Sequence, residues 1–160
     1  MNQELTQKLY DKYPELFGDN PGVSMGGWPA DPAIAFDVGD GWYTLIDTLL
    51  ELICADFNRA KKAFDENKDP HLHDMLAAEQ IHQFELLPDI KQVKEKFGSL
   101  RFYAGTFTPA QKHYIDFAEA MSASICDGCG KLGEVSSRKG WLNCKCQECR
   151  TVSEETHFHG

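Results

Sequence analysis

The chain has 160 residues, 42% of them hydrophobic and 26% charged, enough to bury one core and too few for two large domains. Its 25 acidic side chains outnumber 16 basic ones for a formal charge of −9, which excludes a surface built throughout to neutralise nucleic-acid phosphates. No run approaches the ~18 consecutive apolar residues of a membrane span, and the opening MNQELTQKLYDKYPELF lacks the basic-then-apolar order of a signal peptide, so a reducing cytoplasm is expected.

In chain order, Leu5, Leu9 and Tyr10 lie at helical spacing and Pro14 stops them, which predicts a short amphipathic helix over Asn2 to Tyr13. Residues 17–41 are rich in glycine and proline and read as a long loop holding a short strand. The strongest periodic signal follows. Trp42, Leu45, Ile46, Leu49, Leu50, Ile53, Phe57, Ala60 and Phe64 repeat with the helical period behind Asp40, which is placed to cap that helix. Asp69-Pro70 opens another expected helix, carrying Leu72, Met75, Leu76 and Ile81.

Residues 90–104 predict a β-hairpin, and glycine at the first turn position suggests a type II′ turn at Gly98-Ser99. That turn would set Phe97 opposite Leu100, Glu95 opposite Phe102 and Val93 opposite Ala104 on a mainly apolar face. It would set Lys96 opposite Arg101 and Lys94 opposite Tyr103 on a basic one. Thr108, Pro109 and Gln111 then spell a capping box, opening a helix with Tyr114, Phe117, Ala118, Met121 and Ile125 as its apolar positions.

Five of the six cysteines fall in the last 35 residues, where five acids balance five bases. Cys126-Asp127-Gly128-Cys129 and Cys146-Gln147-Glu148-Cys149 are two C-x2-C pairs at the spacing of a four-cysteine zinc site. Two residues between thiolates let a tight turn aim both sulfurs at one ion, and two such turns complete a tetrahedron. Four sulfurs leave no open coordination position, so the predicted Zn2+ is structural. Four-sulfur geometry also admits an iron–sulfur cluster. Cys144 is the extra thiol, with Lys145 beside it as a neighbour able to lower its pKa, and Cys54 belongs to the core helix.

No metalloprotease, nucleophile-elbow or phosphate-loop motif occurs, and the six histidines form no helical pair, so no catalytic residue is assigned. Asp37, Asp40 and Asp47 could hold a divalent ion in a hydrolase of a phosphorylated small molecule, although capping already explains acids at a helix start. Lys94, Lys96, Arg101 and Tyr103 gather cations and a ring as an anion site requires, and Trp42 is a candidate to line it. Lys131, Arg138, Lys139, Lys145 and Arg150 give the cysteine-rich segment a weak basic excess, so nucleic-acid binding there is expected to be weak.

The stretches GDGW-x2-LID at 39–47 and K-F-G-x-LRFY at 96–103, with Ile125-Cys126 and Gly140-Trp141, resemble a family of small proteins of tailed phages and prophages. The resemblance spans residues 8–150 and implies context more than chemistry: an accessory protein in the host cytoplasm that captures or inhibits a host protein, including one of a defence system, or a nucleotide signal. The expectation is therefore an α+β chain, with helices packed on a small antiparallel sheet over 1–125, a zinc ribbon over 126–150 and a flexible tail over 151–160. Its expected partner is a host protein or an anionic nucleotide-like ligand, with no membrane.

Overall fold

Asn2 starts the first helix by accepting a hydrogen bond from the backbone N–H of Leu5, and Pro14 ends it, giving α1 (Gln3–Lys12) and a single further turn, α2 (Pro14–Phe17). In this computed structural model the described residues are 1–17, 36–66, 87–88, 90–105, 107–138 and 140–155. The helix expected from Asp69, most of the loop before Phe36, five of the six histidines and the end of the tail lie outside them.

The architecture is α+β. A three-stranded sheet runs β1 (Phe36–Asp37), β2 (Ile90–Lys96), β3 (Ser99–Ala104), with β1 parallel and β3 antiparallel to the central β2. The long helix α3 (Tyr43–Asp65) and the helix α4 (Pro109–Ser122) pack together, and α4 also lies on β3. Trp42, just ahead of α3, and Ile46, Leu50 and Ile53 within it are buried with Leu9, Phe36, Val93 and Leu100. No described helix is long and apolar enough to cross a membrane.

Asp40 does not cap α3. The chain enters that helix through a 3-10 turn (Asp40–Trp42) whose capping position is Gly39, and the Asp40 carboxylate instead accepts from the backbone N–H and the Nδ2 of Asn2, at 2.6 and 2.7 Å. The capping box at α4 forms as the sequence predicts, with Thr108 and Gln111 each bonding the other's backbone N–H. The buried face of α4 differs: Gln111, Ile115, Ala118 and Ser122 turn inward, while Phe117 and Met121 are exposed. The neighbours decide this, because Ser122 Oγ accepts from Leu100 N (2.7 Å) and the Glu119 carboxylate accepts from Phe102 N (2.8 Å). These are the outward N–H groups of the edge strand β3, so α4 closes an edge that would otherwise be open to pairing.

The hairpin turn is Phe97-Gly98, not Gly98-Ser99. Both residues have positive φ (57° and 79°), as a type I′ turn requires, and the register becomes Val93↔Phe102, Lys94↔Arg101, Glu95↔Leu100 and Lys96↔Ser99. An extra residue between Ile90 and Gln92 then restores pairing at Ala104. Glu95 Oε1 accepts from Gly98 N at 2.5 Å, holding the turn. A Cβ on Gly98 would come within 2.6 Å of the Val135 side chain, so glycine is required here for space as well as for φ. The strand faces survive the shift, with Val93, Leu100 and Phe102 toward the core and Lys94, Lys96, Arg101 and Tyr103 outward, but Phe97, expected opposite Leu100 on the apolar face, is taken into the turn and exposed.

Candidate metal centre and basic sheet face

The last helical turn of α4 leads into Ile125, whose backbone bridges to Leu132, and between them the chain makes a tight loop. Cys126 N donates to Lys131 O (2.8 Å) and Gly130 N to Cys126 O (2.9 Å), and Gly130 takes a φ of +77°. This loop presents Cys126 and Cys129. The hairpin β4 (Glu134–Arg138) and β5 (Trp141–Lys145) carries the chain back to Cys146, and α5 (Gln147–Glu155) starts immediately after it, with Cys149 in its first turn. Cys149 N lies 3.5 Å from Cys146 Sγ, so the start of α5 directs backbone N–H toward sulfur, where thiolate charge is favoured.

The four Sγ atoms of Cys126, Cys129, Cys146 and Cys149 lie within 4.8 Å of one another, and those of Cys129 and Cys146 are 3.6 Å apart. A tetrahedral ion with metal–sulfur bonds of ~2.3 Å sets its ligands about 3.8 Å apart. The cage therefore fits a single metal ion, and it is the only cluster of this kind among the described residues. Without an ion, four thiols in this space compete for ionisation. Burial opposes the Cys126 thiolate, but N–H donors from Cys146, Cys129 and Gly128 outweigh it and bring its pKa down to about 7. The hydrogen bond with Cys129 and then burial push Cys149 up to about 12. A dication removes that competition by stabilising all four thiolates.

Two residues that spacing did not single out complete the centre. Lys145 pairs with the buried Asp127 carboxylate, and its Nζ lies 3.3 Å from where a Cβ on Gly128 would stand, beside the sulfurs of Cys149 and Cys126. Burial works against the Lys145 ammonium, yet its bond to Asp127 and the adjacent sulfurs hold its pKa above the usual value. A positive charge is what four thiolates around a dication call for, since together they carry net negative charge. The signal available was the position of Lys145 beside a ligand.

Cys144 has a role in packing. It is fully buried opposite Val135, its Sγ donates to Ala123 O (3.3 Å), and burial followed by the charge of Cys126 raises its pKa. Lys145 cannot activate it because adjacent strand residues point to opposite faces. Cys54 is likewise buried, with burial pushing it up to about 12.

The GDGW segment is the seat of the first cysteine loop. Gly41 N donates to Asp127 O (2.8 Å) and Trp42 Nε1 to Ile125 O (2.7 Å). A Cβ on Gly41 would stand 2.2 Å from Cys126 O, and one on Gly39 would stand 1.9 Å from Asp127 O. The glycines are there for close approach of two backbones. Trp42, expected to line a ligand site, is fully buried in this joint and reaches no surface.

The aspartates are not brought together around one point. Asp40 is held by Asn2, Asp47 accepts from Lys12 Nζ (2.9 Å) and the Tyr13 hydroxyl (2.8 Å), and Asp37 is exposed on β1. Three of the five bases of the cysteine segment are paired with acids: Lys131 with Glu148, Lys145 with Asp127 and Arg150 with Glu134. The side chain of Arg138 and all of Lys139 lie outside the described residues.

The basic face of the sheet differs from that segment. Lys94 Nζ sits 5.1 Å from the Tyr103 ring centroid and Lys96 Nζ 5.3 Å from that of Phe97, and neither lysine has an ion-pair partner among the described residues. Arg101 donates to Ser99 Oγ (2.9 Å) and Leu100 O (2.6 Å) and lies 3.8 Å from Glu119. The register sets Asp37 beside Lys94, so one carboxylate borders the face. Comparisons with protein-family models, with curated proteins and with solved structures each found no match, so the reading of these two features rests on their own geometry.

Proposed function

We propose that the chain is a non-enzymatic binding protein in which a structural zinc ion fixes the C-terminal ribbon and the outer face of the sheet captures an anionic, nucleotide-like ligand. The observation that carries the reading is the pair Lys94 and Lys96, cations held over aromatic rings on a face that also bears Arg101, while the ribbon's described basic side chains are spent on internal ion pairs. An ammonium not already matched to a carboxylate keeps its charge for a phosphate. Zinc suits a closed set of four thiolates with one ion's spacing, whereas an iron–sulfur cluster spreads its thiolates over several irons and needs a wider cage.

The resemblance to tailed-phage and prophage proteins supports a setting in the host cytoplasm, where the captured ligand or a host protein that carries it would be met. Titration of a panel of nucleotides tests the reading. Binding of at least one is expected, weakened tenfold or more by Lys94→Glu with Lys96→Glu, and the ligand is recovered intact. Hydrolysed product would replace this reading with that of an enzyme, and no nucleotide binding would end it. Elemental analysis is expected to find about one zinc per chain.

A further inference from the structure

The two cysteine pairs are braced across one another by ion pairs. Lys131, just past the first pair, reaches Glu148 inside the second, and Lys145, just ahead of the second pair, reaches Asp127 inside the first. Each acid therefore holds a lysine from the opposite side of the cage. The lysines divide the sulfurs between them: Lys131 feels the charge of Cys129 and Cys146, and Lys145 that of Cys126 and Cys149.

The two braces are unequal. Lys131 and Glu148 leave 62% and 73% of their side chains exposed, so water and salt screen that pair. Lys145 and Asp127 leave only 26% and 13%. Asp127 is fixed through its backbone on both sides, its N–H donating to Cys144 O (3.0 Å) and its carbonyl accepting from Gly41 N (2.8 Å). The acid directly across the strand pair from Lys145 is Glu134, but Arg150 takes it (2.8 Å), and Lys145 turns to the cage instead. Gly128 leaves room for it there. A Cβ on that glycine, which takes no positive φ, would stand 3.3 Å from Lys145 Nζ, 3.4 Å from Cys149 Sγ and 3.7 Å from Cys126 Sγ. Nζ is thus within about 7 Å of both sulfurs, inside the ~8 Å screening length of physiological salt.

We infer that Lys145 sets the metal affinity of the cage without being a ligand, its largely buried ammonium offsetting the doubly negative charge that four thiolates leave on a bound dication, and that Asp127 positions it. The inference rests on the zinc reading above and adds to it a determinant outside the four cysteines. Groups that support metal ligands in this way typically change affinity by roughly 10- to 100-fold.

Competition with a chromophoric chelator for Zn2+ tests this on the full chain, with the Co2+ spectrum reporting whether all four sulfurs still bind. Lys145→Met is expected to weaken Zn2+ binding about tenfold or more. Lys131→Met removes the same charge from the exposed brace and is expected to cost about threefold at most. Lys145→Arg keeps the charge and is expected to bind at least about threefold more tightly than Lys145→Met. Adding Asp127→Asn to Lys145→Met removes the carboxylate left unpaired, so a residue that served only as its bridge partner would no longer be missed. The double variant is expected to stay at least about threefold weaker than the parent. Should Lys145→Met fail to fold, Lys145→Arg against the double variant carries the same comparison. Parent affinity in Lys145→Met or in the double variant, equal affinities of the Met and Arg variants, or an equal loss from Lys131→Met would each overturn the inference and leave the zinc reading standing. A parent chain that binds no Zn2+ would overturn both.

Discussion

The two β-hairpins of this chain are held by different forces. β2–β3 buries one face: Val93, Leu100 and Phe102 sit in the core with α3 and α4, and α4 satisfies the free edge of β3 through Ser122 and Glu119. β4–β5 contributes little to that core. Cys144 is its fully buried residue, while Val135, Trp141 and Leu142 remain exposed. What fixes the second hairpin is the pair of cysteine loops at its base and the seat that GDGW provides for the first of them. A hairpin with a buried face gets its register from the hydrophobic effect, and one without such a face needs a cross-link, which the four-cysteine cage could supply by holding a metal ion.

The sharpest way to break the comparison is to remove the metal. Replacing Cys126 and Cys129 together by serine is expected to abolish metal binding and cost on the order of 5 kcal/mol or more, since four-thiolate zinc sites couple roughly 10 kcal/mol or more of binding to folding. Cys144→Ala should keep the metal. Metal content and denaturant unfolding read both results, and metal retained by the double variant would refute the ligand set.

A smaller but still large effect is expected at the joint between the two regions. Gly41→Ala drives a methyl into the Cys126 carbonyl and the N–H groups of Cys129 and Gly130. A loss of roughly 3 kcal/mol or more is expected, because backbone lies on the other side and cannot yield. If the variant unfolds like the parent, the seat described for the first cysteine loop is wrong. Ser122→Ala touches only the first hairpin. It orphans the buried Leu100 N–H and should cost about 1–3 kcal/mol with metal content unchanged. A metal loss in that variant would show the two hairpins to be less separable than their contacts indicate.

Much of this was legible in the sequence. The C-x2-C pairs announced their cage because two-residue spacing leaves few other uses for four thiols in 24 residues. The capping box of α4 and the periodicity of α3 were equally readable, being local. The hairpin faces were readable but the turn was not. Gly98-Ser99 and Phe97-Gly98 both put a glycine where positive φ is wanted, so the local pattern does not choose between them, and in the fold Phe97 takes the second positive φ itself. Phe117 and Met121 follow the helical period as well as Ile115 does, and only the edge of β3 selects which stripe of α4 turns inward.

Trp42 and Asp40 show the same division. An aromatic and a carboxylate beside glycines at a helix start read naturally as a ligand pocket and a cap. Their contacts lie with Ile125 and Asn2, one 83 residues away and the other 38, and no local pattern encodes such partners. By itself the sequence determined what depends on neighbours within a few positions: the helical periods, the capping box of α4, the alternation of the strands and the paired cysteines. The tertiary structure alone decided what depends on volume and close approach between distant segments: the hairpin register, the burial of Trp42 and Cys144, and the glycines that let the GDGW turn and the first cysteine loop meet backbone to backbone.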